Sequence, residues 1–161
     1  MDLLNRARDL YVAGRLHDAL EAAQAACDRA PKDPEAWWLL GRISRHTGLL
    51  AASDVAFLKA CELDSRFGLP YRVPASRFAA LIGEARSALS DRARTRLGPT
   101  VIRAQALPAP EQVRQGVDPD ALSLRNHGPQ EVLILFQVNH ENQSSSEGAL
   151  RKLVNRSLAG A

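Results

Sequence analysis

From Leu3 to Asp64 the chain repeats itself at a period of 34 residues, which constrains its fold more than any other feature. Moving the stretch by one period lays Ala7 on Gly41, Gly14 on Gly48, Leu16 on Leu50, Ala19 on Ser53, Ala23 on Phe57, Ala26 on Ala60 and Cys27 on Cys61. A repeat of this length is one supersecondary unit that cannot bury its apolar side alone, so the copies must stack. Small residues recur in register at Ala7 and Gly41 and again at Ala19 and Ser53, the residue types that let helix axes approach closely. Gly14 and Gly48 recur as residues that end a helix, because glycine takes the left-handed conformation without steric cost. Pro31 and Asp33-Pro34 separate the copies, and Pro34 suits the first turn of the next helix.

The second copy reads Trp37, Leu40, Gly41, Gly48, Phe57, Ala60, and the first carries Ala7, Gly14, Ala19, Ala26 and Pro31 in the same places. The stretch resembles the tetratricopeptide repeat (TPR) family. It departs from the family pattern at Arg6, at Ala23 and at Ser44, where larger apolar or aromatic residues are usual, so the first copy is expected to pack loosely. Two repeats are also fewer than a solenoid generally needs, and the next helix is the expected cap. The resemblance implies a protein-interaction module of two antiparallel helices per repeat, in which the first helix of each repeat lines a shallow groove. That geometry places Leu4, Arg8, Tyr11, Trp38, Arg42 and Arg45 along the groove. Three arginines beside Tyr11 and Trp38 suit a protein or peptide partner that is acidic and has an apolar anchor.

Composition narrows the remaining classes. A hydrophobic content of 45% over 161 residues suffices for a core. No run of about 18 apolar residues exists, so no membrane association is expected. The start, Met1-Asp2-Leu3-Leu4-Asn5-Arg6, is neither a signal peptide nor a lipidation motif, and a cytoplasmic location is expected. Residues 1–65 carry eight Lys or Arg against ten Asp or Glu, whereas residues 66–161 carry thirteen against eight. The basic second half concentrates charge at Arg86, Arg92, Arg94 and Arg96, but only 5% of the chain is aromatic, so nucleic acid is not an expected partner. Cys27 and Cys61 repeat each other, yet equivalent positions on stacked helices lie about 8 to 10 Å apart, beyond the roughly 7 Å limit for a bridge. They read as small buried residues.

Gly68, Pro70 and Pro74 interrupt the helical pattern and mark a linker at 66–75. A helix is expected from Ser76 to Leu97, with Phe78, Leu81, Ile82, Ala85, Leu89, Ala93 and Leu97 on one side. The period then changes to that of strands. Thr100 to Ala106 reads as a strand, Pro108 to Pro119 as a long irregular connection, Ala121 to Arg125 as a second strand, and Val132 to Phe136 as a strand buried on both faces. A closing helix is expected from Glu147 to Leu158.

This order of pieces over residues 76–158 resembles the opening of a small zincin-like metallopeptidase family of bacteria. The local text is similar at Phe78 to Leu89, at Asp118-Pro119-Asp120-Ala121-Leu122 and at Val132 to Phe136. Zincin chemistry needs His-Glu-x-x-His on a helix, so that two imidazoles face one zinc while the glutamate activates water. The chain has no such motif. Its nearest approach, His140-Glu141-Asn142-Gln143-Ser144, carries serine at the second ligand position and reads as a solvated loop. His17, His46 and His127 have no second ligand at metal spacing, and no nucleophile pair, P-loop or dinucleotide fingerprint is present. No metal, no cofactor and no catalytic residue is therefore expected.

The expected fold class is α+β, with two all-α helical hairpins at 1–65 and a small α/β region at 76–161 built from a helix, about three strands and a helix. The expected function is a non-catalytic TPR adaptor carrying a zincin-like region without its metal site. The alternative is a truncated or frame-shifted zinc metallopeptidase whose TPR segment recruits substrate, and the oligomeric state is open.

Overall fold

A computed structural model describes residues 2–161. In chain order the elements are α1 (Leu3–Val12), α2 (Leu16–Arg29), α3 (Pro34–His46), α4 (Leu50–Leu63), α5 (Ala75–Ser87), α6 (Asp91–Leu97), β1 (Val101–Gln105), α7 (Pro110–Arg114), β2 (Ser123–Asn126), β3 (Val132–Phe136), α8 (Gln137–Asn142) and α9 (Glu147–Ala159). Two compact units result. One is the chain up to Leu69 together with Ala109–Pro119, and the other is Pro70–Pro108 together with Asp120–Ala161.

In the first unit the sequence period becomes a structural one, since α2 and α4 begin and end 34 residues apart. Asp2 caps α1 by accepting from the amides of Leu4 and Asn5, and Asp33 caps α3 through Glu35 with Pro34 in its first turn. Gly14 and Gly48 both take φ +78°, the left-handed conformation that turns each hairpin. Ala7, Ala19 and Ala23 are wholly buried in the first hairpin, and in the second Gly41 sits against the ring of Phe57. Ser53 answers Gly41 by donating its hydroxyl to the Gly41 carbonyl at 2.7 Å.

The connection expected to be irregular contains α7, and it folds with the repeats. Val113 is 1% exposed, and a Cβ on Gly14 would stand 2.9 Å from Arg114 Cγ and 3.4 Å from Val113 Cγ1. At the end of the same segment His46 Nε2–H donates to the Pro119 carbonyl at 3.0 Å. Cys27 and Cys61 are both free thiols.

The second unit is α+β. Its sheet has the order β1-β3-β2, with β1 parallel and β2 antiparallel to the central β3. Residues 133–136 are buried, which explains why this strand reads as a continuous apolar run rather than an alternating one. Leu133 and Leu135 join a core with Phe78, Leu81, Leu150, Val154 and Leu158 from α5 and α9. The single helix expected over Ser76–Leu97 is two. Ala88 ends α5, and Ser90 restarts the chain by accepting from the Ala93 amide, so the caps override an apolar period that runs through the break. Among the described residues no helix is long and apolar enough to cross a membrane.

Candidate functional site

The first helices of the repeats place the six expected groove residues unequally. Tyr11 is only 2% exposed and lies edge-on to His46 at 5.3 Å, with the Arg42 guanidinium 5.9 Å above its ring. Trp38 is half-buried and packs against Phe57 at 4.8 Å and Phe67 at 5.6 Å. Both rings are thus engaged with the chain's own aromatic side chains. Leu4 is half-buried, Arg8 reaches Glu35 across to α3 at 2.8 Å, and Arg45 stands 3.7 Å from Asp54. Both ion pairs have a well-exposed partner, the class worth about 0 to 1 kcal/mol, so either arginine can exchange its carboxylate for another at little cost.

A different surface was not anticipated. A groove of about 720 Å³ opens between α2 and α4 with α3 as its floor. Leu40 and Ser44 form the base and are buried, while Leu20, Trp37, Leu49 and Val55 supply apolar walls. The space exists because Ala25, Ser44, Ala51 and Ala52 are all small. Val55 is 65% exposed and Leu49 46%, large apolar side chains left in water. Glu21 and Asp28 stand on the α2 side, and no lysine or arginine lines the groove. The sequence signal was present in part, since the small residue at Ser44 departs from the repeat pattern, but only the fold shows that its neighbours are small too.

In the second unit, the segment expected to be a solvated loop at His140 to Ser144 is corrected. It begins within helix α8, and His140, Glu141, Asn142 and Ser144 are buried. Most of its polar groups find partners, some local and some distant, while Asn142 Oδ1 is buried without a hydrogen bond. His140 Nδ1–H donates to the Phe136 carbonyl and Nε2 accepts from the Ser157 hydroxyl, both at 2.8 Å. Glu141 receives the Val73 amide at 2.8 Å, the Gln137 amide at 3.2 Å and Arg72 at 3.3 Å. Ser144 donates to the His140 carbonyl, and Asn139 to that of Ala121. Burial pushes the His140 imidazole below its ordinary pKa of 6.5, so the neutral tautomer that these bonds require is also the one the site favours. Among the described residues no group of three or more His, Cys, Asp or Glu side chains is placed to hold a metal ion.

The two hairpins share one 34-residue period and have glycine turns in register. Residues 4–65 match the tetratricopeptide repeat family model. The TPR match covers the two hairpins, and the zincin-like resemblance of residues 76–158 lies outside it. No curated protein and no solved structure matches the chain.

Proposed function

We propose that the chain is a non-catalytic adaptor whose TPR pair takes an acidic peptide along its first-helix face. The observation that supports this reading is that Arg8 and Arg45, on α1 and α3, form their ion pairs with the exposed carboxylates of Glu35 and Asp54, while Arg42 on α3 lies over the Tyr11 ring. Arginine suits carboxylates because its planar fork gives two parallel hydrogen bonds. Leu4 offers the apolar contact, while Tyr11 and Trp38 are engaged with the chain's own aromatic side chains.

In this reading the second unit is a zincin-like scaffold without a metal centre. Its favouring observation is that His140 and Glu141, the nearest approach to a zinc motif, are committed to internal hydrogen bonds. The test is a fluorescent peptide of alternating Glu and Asp around one leucine, titrated into the full chain. Replacing Arg42→Ala with Arg45→Ala should weaken binding by about tenfold or more while the melting temperature holds. A second variant, Arg8→Ala with Arg45→Ala, leaves the Arg42–Tyr11 contact in place and should act in the same direction. Unchanged affinity in both variants refutes the assignment.

A further inference from the structure

The apolar groove between α2 and α4 lies apart from the arginine face and has the opposite electrostatic character. Its large apolar side chains are Leu20, Trp37, Leu40, Leu49 and Val55, Gln24 is the one large uncharged polar side chain, and its charged residues are Glu21 and Asp28 alone. Glu21 pairs with His17 at 3.8 Å and shares a smaller surface pocket with Arg6, and Asp28 accepts from Gln24 at 3.1 Å, so neither carboxylate forms an ion pair with a lysine or arginine among the described residues. The two stand on one side of α2, seven residues apart, which is about 10.5 Å along the helix axis. A partner helix lying in the groove would carry its own residues at the same spacing.

We propose that this groove docks an amphipathic basic helix from a partner protein. Its leucine-type side chains enter the space above Ser44 between Trp37 and Val55, and lysines or arginines seven residues apart meet Glu21 and Asp28. The chemistry follows from what the groove lacks. A partner helix with an acidic flank would bring carboxylate against carboxylate with no cation to separate them, and a purely apolar segment would leave Glu21 and Asp28 unused. Shape agrees with charge. The small residues Ala25, Ala51 and Ala52 leave room for bulky anchors above the α3 floor, the arrangement in which an apolar helix face lies in a groove. With an acidic ligand on the first-helix face and a basic one here, one repeat pair would join two partners of opposite charge.

The test uses the full chain and a labelled helical peptide of about 16 residues, long enough to hold helix, with leucines at i, i+4 and i+7 and flanking lysines seven apart. Saturable binding is expected, together with no binding of the matching peptide that has glutamate in place of lysine. Glu21→Lys with Asp28→Lys should weaken the lysine peptide by about tenfold or more, since it reverses both rim charges. Ala52→Trp fills the groove from an exposed position and should abolish binding with the urea midpoint unchanged. The Arg42→Ala and Arg45→Ala variant should bind as the parent does, so failure of the acidic-peptide reading and failure of this one are separable. Equal binding of the two peptides, no binding of either, or indifference to the variants overturns the proposal. So does a concentration-dependent dimer that Val55→Lys dissolves, because the occupant would then be a second copy of this chain.

Discussion

Replacing Gly41 by alanine tests how the second hairpin is held, because intrinsic propensity and packing predict opposite signs. Gly41 lies inside α3, where alanine is favoured over glycine by up to about 1 kcal/mol. Its new methyl carbon would stand 2.7 Å from Phe57 Cδ1 and 2.8 Å from Cε1, against an ordinary carbon contact of about 3.5 to 4.0 Å. Phe57 has nowhere to go. It is 1% exposed and set edge-on to Trp38, and Ser53 ties the same two helices together at the Gly41 carbonyl. Overpacking of this kind costs about 1 to 3 kcal/mol, so Gly41→Ala should be net destabilising by about 1 to 2 kcal/mol. In a Phe57→Leu background the clash is gone and the propensity gain remains, so the same replacement should be neutral or stabilising, a coupling of about 2 kcal/mol. The assay is urea unfolding followed by tryptophan fluorescence. Both tryptophans of the chain, Trp37 and Trp38, lie on α3 and report on the repeats directly. A Gly41→Ala protein as stable as its parent would mean that α3 and α4 can separate freely, and would refute the argument from close approach.

Two further outcomes follow from groups with displaced proton affinities. His140 has a lowered pKa in the folded chain, so the unfolded chain binds the additional proton as pH falls through 6.5; stability contributed by this group is full above that pH and declines below it, and His140→Gln should flatten the pH 7.5 to 5 difference in urea midpoint. If the parent and His140→Gln lose stability in parallel over that interval, the buried imidazole is not the cause. Cys27 is wholly buried and its thiol is pushed up to about 12, mainly by burial, whereas Cys61 is half-buried; the native chain should therefore react with a thiol reagent at pH 8 at Cys61 and not at Cys27, and both should react in denaturant. Rapid native labelling of Cys27, located by peptide mass, would contradict that packing.

What could be read from the sequence is what is written locally. The hairpins announce themselves because each turn glycine, cap and proline acts on residues within a few positions of itself: Gly14 and Gly48 at φ +78°, Asp33 on the Glu35 amide, Pro34 in the first turn of α3. Val132 to Phe136 is legible for the same reason, as an unbroken apolar run can only be a strand or helix hidden on both sides. The segment from Gln137 to Ser144 is illegible by the same logic. Every one of its side chains is polar except Val138, and polarity reads as exposure unless the partners are known. Those partners are Val73, Ala121 and Ser157, many residues away.

Position-by-position comparison with a repeat pattern fails at the helix crossings in a related way. Taken singly, Ala23 looks like a deficit and Gly41 like a weak helix residue. In the fold Ala23 is wholly buried and Gly41 is the close-approach point for the Phe57 ring. Core volume is a property of neighbours together, so a one-residue reading cannot judge it. In the groove between α2 and α4 no large neighbour answers the small residues. Ser44 is small, and the neighbouring Ala25, Ala51 and Ala52 are small as well, so nothing within the chain takes up the volume. Uncompensated small residues beside exposed Leu49 and Val55 leave apolar surface in water, which destabilises the isolated fold and is recovered only when something else covers it. Under the docking proposal, the carboxylates of Glu21 and Asp28 at its edge set the charge of that covering surface.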